Sequence, residues 1–433
     1  MADDANPLDG HRELRGGRVL VLCFDGTSDL FDRGTNAVQL MSFLKTDDYT
    51  RQMVYYQSGV GTYLRPNMLM PIVRTVLKLL DDAFAWDLDD HVMGGYRFLM
   101  QNWLPGDRIM LFGFSRGAYT ARALAGMLEK VGLLPRGNNE QVPYAYKMYK
   151  RIDSEGWTES DAFKKTMSTP VHVDFVGVWD TVSSVGFMMN EYLPFTASNY
   201  HIRVFRHAVA LDEHRCMYRP NMWHYTVPPF EAPPPASLET GKEPGALKRP
   251  TDIQEVWFAG CHGDVGGGNP PDKNGALMAR IPLLWMIREA VLTKTGILWN
   301  ELALQQAGFK LPMPAPEDTI KMQRQNGATD PDGPVQNYIS ALDAHYEQDV
   351  SASIHDKLNM NKLWWILEII PLKYRRQQKN GQWRSYFGPH LGRPRHIPDP
   401  PPPTNVHVSV AQRMSKVKYK PRAKWEGEPN WVE

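Results

Sequence analysis

The chain has 433 residues, 42% of them hydrophobic and 22% charged, a globular composition that excludes a collagen-like, disordered or small disulfide-stapled protein. Its length allows one large α/β domain or two ordinary ones. Lys plus Arg number 49 against 48 Asp plus Glu, a formal charge of +1, so there is no global basic field for nucleic acid.

Residues 1–16 (MADDANPLDGHRELRG) carry acids and no apolar run, so they read as an N-terminal extension and not as a signal peptide. Residues 18–24 (RVLVLCF) form a near-continuous apolar run ending at Asp25-Gly26-Thr27, which suits a strand buried on both faces. A helix pattern over 36–44 and a second strand pattern over 53–57 follow. Strand, helix, strand predicts a parallel sheet.

From 71 to 103 apolar residues recur at helical spacing (Ile72, Val76, Leu79, Leu80, then Val92, Tyr96, Leu99), and Gly106-Asp107 ends the pattern. Residues 108–114 form the next strand and run through Ser115 into an alanine-rich helix over 116–128. Two further buried runs, 171–179 (VHVDFVGVW) and 253–259 (IQEVWFA), end at Asp180 and at Gly260-Cys261-His262, before a helix over 280–292. Each strand thus delivers a polar residue at its C-terminal end, the edge where open parallel sheets bind ligands.

Beyond residue 300 the pattern weakens, although 338–350 and 361–370 read as helical; the Pro-rich stretches 228–235 and 398–403 read as extended connectors. Cys23, Cys216 and Cys261 are too few and too scattered for a disulfide framework or a Cys-rich zinc site. They fit a reducing, cytoplasmic setting, and no metal or cofactor is called for. No uncharged run of about 18 apolar residues suggests a spanning helix. Attachment to a membrane surface stays open.

The chemistry centres on Gly113-Phe114-Ser115-Arg116-Gly117, a G-x-S-x-G between a buried strand and a helix, the context a nucleophile elbow requires. Small flanking residues let the serine take a strained backbone on a tight turn. There the N–H of Arg116 can face a developing oxyanion at the helix N-terminus. The plainer alternative is a Gly-rich helix start with a capping serine.

Serine needs a base held by an acid, and Asp180 and then His262 supply the chain order Ser, Asp, His of α/β-hydrolases. A loop histidine is the plain alternative for His262. Asp174, Asp212 and above all Asp264, two residues past His262, rival Asp180 as the acid. For the second oxyanion donor the candidate is Gly26 or Thr27, against a tight turn that only caps the next helix. FDGT also suggests an aspartate-nucleophile phosphatase, but Cys23 occupies the nucleophile position there.

The blocks LCFDGTSD, YYQSGVGT, GFSRGAYTARALAGML, VGVWDTV, RHAVALDEHR and AGCHGDVGGG resemble, in order, the α/β-hydrolase domain of bacterial type VI secretion phospholipase effectors and related uncharacterised bacterial and fungal proteins. The resemblance implies a mostly parallel central sheet flanked by helices, with helical and Pro-rich insertions. It places nucleophile, acid and base on Ser115, Asp180 and His262 and implies a lipid or phospholipid ester as substrate. VHVSVAQRM and YKPRAKW resemble the family's C-terminal segment, so 17–433 reads as a single domain, with a core over 17–300 and an elaboration over 301–433.

Leu363-Trp364-Trp365-Ile366-Leu367 with Ile369-Ile370, followed by Lys373, Arg375 and Arg376, has an interfacial composition, but better suits a buried helix whose basic C-terminal end complements its dipole. Met68-Leu69-Met70 and Phe187-Met188-Met189 read as acyl-pocket or lid walls, or as plain core. Two other functions remain: an esterase or amidase on a small soluble or polymeric substrate, and a non-catalytic interaction protein on a hydrolase scaffold. The oligomeric state is not legible.

Overall fold

The computed structural model describes residues 17–26, 34–59, 88–182, 193–224, 250–309, 346–377, 383–397 and 403–433. Thr27, Met68-Leu69-Met70, Phe187-Met188-Met189, the 228–235 proline stretch and most of 398–403 lie outside the described residues, as do the side chains of Lys373, Arg375 and Arg376.

In chain order the elements are β1 (Val19–Phe24), α1 (Asn36–Phe43), β2 (Gln52–Gln57), α2 (Leu88–Asn102), β3 (Arg108–Phe114), α3 (Arg116–Val131), α4 (Val142–Lys150) and α5 (Ser154–Met167). After them come β4 (Val173–Trp179), β5 (Ile202–Ala210), β6 (Asp252–Phe258), α6 (His262–Gly266) and α7 (Arg280–Leu292). The C-terminal part adds α8 (Glu301–Gln306), α9 (Tyr346–Ser351), α10 (Lys357–Met360), α11 (Trp364–Ile369), the ribbon β7 (Leu372–Gln377) and β8 (Trp383–Gly388), β9 (Asn405–His407), α12 (Val408–Lys416) and β10 (Asn430–Val432).

Among the described residues eight strands pair in the order β10-β9-β6-β5-β4-β3-β1-β2, every neighbour parallel; the separate β7–β8 ribbon is antiparallel. This is an α/β-hydrolase-like sheet flanked by helices. β1 shows why its sequence is apolar throughout. Leu20, Leu22 and Phe24 pack with α2 and α3 on one face, while Val19, Val21 and Cys23 pack with Leu40, Phe43 and α7 on the other. Both faces being covered, no polar alternation survives.

The chain steps from β1 to β2, then returns past β1 to β3. In open parallel sheets such a reversal is where ligands bind, and here it falls at the C-terminal ends of β1 and β3. Residues 25–26 and 115 emerge there.

Two regions depart from what the pattern predicted. β5 carries Arg206 and His207, which break its apolar run, yet both are buried: Arg206 reaches Glu289 (2.6 Å) and Asp252 (2.8 Å), and His207 reaches Glu255 (2.8 Å). A buried cation is tolerated when paired and a buried imidazole when hydrogen-bonded, so tertiary partners make this a central strand. Residues 405–432, read as elaboration, supply two strands of the sheet, β9 and β10, each too short to carry a pattern.

Candidate active site

Strand ladders deliver the site residues. Ser115 N–H donates to the Trp179 carbonyl (3.0 Å), Asp180 N–H to Ala208 (2.7 Å) and Asp25 N–H to Gln57 (2.9 Å). Each therefore stands one step past its strand, on one edge of the sheet.

Ser115 has φ 58° and ψ −120° and, although it precedes α3, makes no side-chain cap hydrogen bond. A left-handed φ costs a non-glycine residue about 1–2 kcal/mol. The flanking glycines make the turn sterically feasible: a Cβ on Gly113 would meet the Gly117 carbonyl oxygen at 2.4 Å, and one on Gly117 the Phe24 carbonyl oxygen at 2.2 Å. The Ser115 hydroxyl lies 2.8 Å from Nε2 of His262, whose Nδ1 is 2.6 Å from Oδ2 of Asp180.

His262 opens α6, capped by Cys261. Its ring is flanked by Phe114 (centroids 4.7 Å apart) and, edge to face, by Tyr218 (4.8 Å). Burial pushes its pKa below the ordinary histidine value, with Asp180 acting in the opposite sense. In the neutral ring, Nδ1–H donates to Asp180 and Nε2 is left as the acceptor of the serine proton.

Asp180 is wholly buried and, like Ser115, has a positive φ, 42°. Burial would raise its carboxyl, but the Arg395 guanidinium and His262 hold it well below the usual carboxylate range. Arg395 grips it with both nitrogens, Nη1 to Oδ1 at 2.5 Å and Nη2 to Oδ2 at 2.9 Å, and the Ala210 N–H donates to Oδ1 (2.9 Å).

The rival acids are committed elsewhere. Asp264 accepts from the Cys261 N–H (3.0 Å), from Asn269 Nδ2 (2.8 Å) and from the His355 N–H (2.9 Å), and contacts His355 Nδ1 (2.9 Å). Asp212 accepts from the Gly260 N–H, the Tyr419 hydroxyl and the Arg422 N–H. Asp174 sits in β4 and accepts from the Ile109 N–H.

Gly26 abuts the serine: a Cβ there would lie 3.1 Å from Ser115 Cβ. Its N–H, however, donates to Oδ1 of Asp25 (2.7 Å), a carboxylate that also accepts from the hydroxyls of Thr35 (2.7 Å) and Tyr56 (2.8 Å). Arg116, the other oxyanion candidate, contributes the first peptide of α3.

Several neighbours had no role in the sequence reading. Glu213, just past β5, accepts from the His262 N–H (3.3 Å) and pairs with Arg215 (2.8 Å). Burial would raise its carboxyl, yet Arg215 brings it down to about 2. Arg215 lies 3.5 Å from the Tyr218 ring centroid and 4.8 Å from that of Trp364. The polar triplet Glu213-His214-Arg215 at a strand end was a legible hint; for Arg395, 215 residues from Asp180, there was none. Among the described residues no group of three or more His, Cys, Asp or Glu side chains is disposed to hold a metal.

A model of the family described as "T6SS, Phospholipase effector Tle1-like, catalytic domain" matches residues 18–289. The uncharacterized protein YEL023C of Saccharomyces cerevisiae is 27% identical over an alignment covering 96% of this chain and 81% of that protein. Among solved structures, an uncharacterized protein from Pseudomonas aeruginosa aligns with TM-score 0.38 and 16% identity, over 79% of this chain and 54% of that one. The Tle1 effector bound to the VgrG spike of the type 6 secretion system aligns with TM-score 0.32 and 18% identity, over 59% of this chain and 52% of that one. The chain thus spans about half the length of these solved proteins.

Proposed function

This chain belongs to the T6SS Tle1-like phospholipase effector catalytic-domain family, and on that premise we propose that it cleaves carboxylic esters of lipids through Ser115, His262 and Asp180. The observation that carries the reading is the unbroken contact Ser115 Oγ, His262 Nε2 (2.8 Å), His262 Nδ1, Asp180 Oδ2 (2.6 Å).

In this reading His262 Nε2 takes the hydroxyl proton as Ser115 Oγ attacks the carbonyl carbon. The tetrahedral oxyanion collapses, the C–O bond to the leaving alcohol breaks, and His262 returns the proton to that alcohol. Water, deprotonated by the same nitrogen, then releases the acid from the acyl-serine. The N–H of Arg116 at the positive end of α3 supports the oxyanion. The second donor falls to Thr27 or to Gly26, the latter by leaving the Asp25 carboxylate.

A lipid substrate must be met at its interface. Helix α11 turns Trp364 and Leu367 inward, where Trp364 meets Tyr218 (5.7 Å), which touches the His262 ring. Its other face exposes Trp365, Ile366 and Ile369, with Lys362 beside them. Apolar and aromatic residues beside a cation suit a headgroup boundary. No helix among the described residues is long and apolar enough to cross a membrane, so the contact proposed is peripheral.

A fluorophosphonate probe tests the chemistry: Ser115 is expected to be labelled and Ser115→Ala not, and a folded wild type that stays unlabelled sinks the reading in favour of a non-catalytic scaffold. Phospholipid vesicles compared with soluble short-chain esters test the substrate. Indifference to the lipid interface would leave an ordinary esterase or amidase.

A further inference from the structure

The geometry points to Arg395 as a positioning residue for the proposed reaction: its guanidinium locks the carboxylate of Asp180 in the plane and charge state that His262 requires. The inference rests on the hydrolase reading above, and it concerns a residue more than 100 positions beyond the matched region 18–289.

A buried carboxylate serving a histidine needs its second oxygen held, or the plane can rotate away from Nδ1. Oδ2 of Asp180 is shared between His262 Nδ1 (2.6 Å) and Arg395 Nη2 (2.9 Å), while Oδ1 accepts from Arg395 Nη1 (2.5 Å) and the Ala210 N–H (2.9 Å). Both oxygens are therefore fixed by a planar fork, a geometry that lysine cannot reproduce. The fork is itself oriented, since Nη1 donates to the Ala210 carbonyl (3.0 Å) and Nη2 to that of Tyr218 (2.5 Å).

Arg395 comes from a stretch without helix or strand, so its place depends on anchors either side. Upstream, Glu368 receives the N–H groups of His390 and Leu391 on its carbonyl (3.0 Å each) and that of Gly392 on its carboxylate (2.8 Å), with His390 Nδ1 2.8 Å from the same oxygen. Downstream, Ile397 packs with Val209, Leu211 and Trp257. The structure spends several buried polar contacts on holding one arginine against one acid.

The arginine also sets the charge felt by the base. Among the described residues the charged groups facing the pair are Asp180 after β4, Glu213 and Arg215 after β5, and Arg395; Asp264, on the histidine's own helix, is turned to His355, and the titratable neighbours include Cys261, Tyr218 and, beside Asp180 on β5, His207, which burial keeps neutral and Glu255 holds. With His262 neutral, two carboxylates and two guanidiniums balance. Removing Arg395 leaves the pair with one cation fewer, which favours the imidazolium.

The experiment follows fluorophosphonate labelling of the full chain against pH for wild type, Arg395→Lys and Arg395→Met, with and without added guanidinium. It is paired with an NMR titration of the His262 imidazole. Arg395→Met should be labelled about 100-fold more slowly, the cost of a mis-set catalytic geometry, with its acid limb and the His262 titration both moved to higher pH and the plateau raised by guanidinium. Arg395→Lys should keep the limb in place and recover only part of the plateau.

Wild-type labelling in Arg395→Met overturns the inference. So does a lowered plateau with an unmoved limb that guanidinium does not raise, because that marks a structural role alone. If Arg395→Met does not fold, Arg395→Lys decides, and wild-type labelling in it overturns the fork. An unlabelled wild type defeats the hydrolase reading instead; the NMR titration then still tests Arg395, and an unmoved His262 in the variant overturns it.

Discussion

Gly266, at the end of α6, lies so close to Phe114 that a Cβ on it would stand 1.8 Å from the ring's Cε2. Phe114 in turn packs on the imidazole of His262, with centroids 4.7 Å apart. The missing side chain thus sets the ring that sets the base. Gly266→Ala should displace Phe114, cost about 1–3 kcal/mol as an overpacked core does, and slow fluorophosphonate labelling of Ser115. Unchanged denaturation midpoint and labelling rate would show that Phe114 does not locate His262.

The positive φ of Ser115, 58°, should invert the usual ranking of alanine and glycine. Both Ser115→Ala and Ser115→Gly lose the contact with His262, and both should abolish labelling. Only glycine escapes the left-handed penalty. We expect Ser115→Gly to be more stable than Ser115→Ala by about 1 kcal/mol, and denaturant unfolding of the two side by side checks it. An alanine variant at least as stable as the glycine would mean that the elbow is unstrained.

The labelling rate should depend on pH through neutral His262. Burial lowers the pKa of this ring, so the acid limb should fall below the ordinary histidine value of about 6.5, with a plateau above it. Glu213 acts to raise that pKa; Glu213→Gln should therefore move the limb to still lower pH, the opposite sense to loss of Arg395. A limb that moves upward in Glu213→Gln would contradict this electrostatic account.

Stability should also fall with acid. Burial lowers the pKa of His207 and His262, and brings His407 down to about 3. A histidine depressed on folding contributes stability that is fully present above its unfolded value of about 6.5 and is lost as pH falls from there toward its folded value. Asp25 and Asp212, raised mainly by burial, work in the opposite sense. His407→Asn removes one depressed group while keeping an acceptor at the N-cap of α12, where His407 Nδ1 receives the Ser409 N–H. Unfolding free energy measured between about pH 7 and pH 5 should decline less steeply in the variant than in wild type; equal slopes would show that His407 is not depressed.

The same contrast between local and distant causes decides what could be read beforehand. The strands 18–24, 108–114, 171–179 and 253–259 were visible because burial on both faces writes an apolar run into consecutive residues. β5 was not: Arg206 and His207 look like a solvent-facing interruption until Glu289 and Asp252 are seen to neutralise the arginine and Glu255 to bond the imidazole. Helix α11 was ambiguous because both faces are apolar, and only the packing of Trp364 and Leu367 separates the inner face from Trp365, Ile366 and Ile369.

Taken alone, the order of residues determined the strand-turn-helix around Ser115 and the polar ends of the strands, since backbone sterics and apolar runs act over a few neighbouring positions. It left Asp180 and Asp264 as rivals, because nearness along a chain does not say which carboxylate turns toward a ring. The tertiary structure brought Asp180 to Nδ1, spent Asp264 on Cys261, Asn269 and His355, and drew Arg395 across 215 residues to the acid. A lone charged side chain has no periodicity to announce its partner; its place follows only once sheet, loops and C-terminal strands have closed around it.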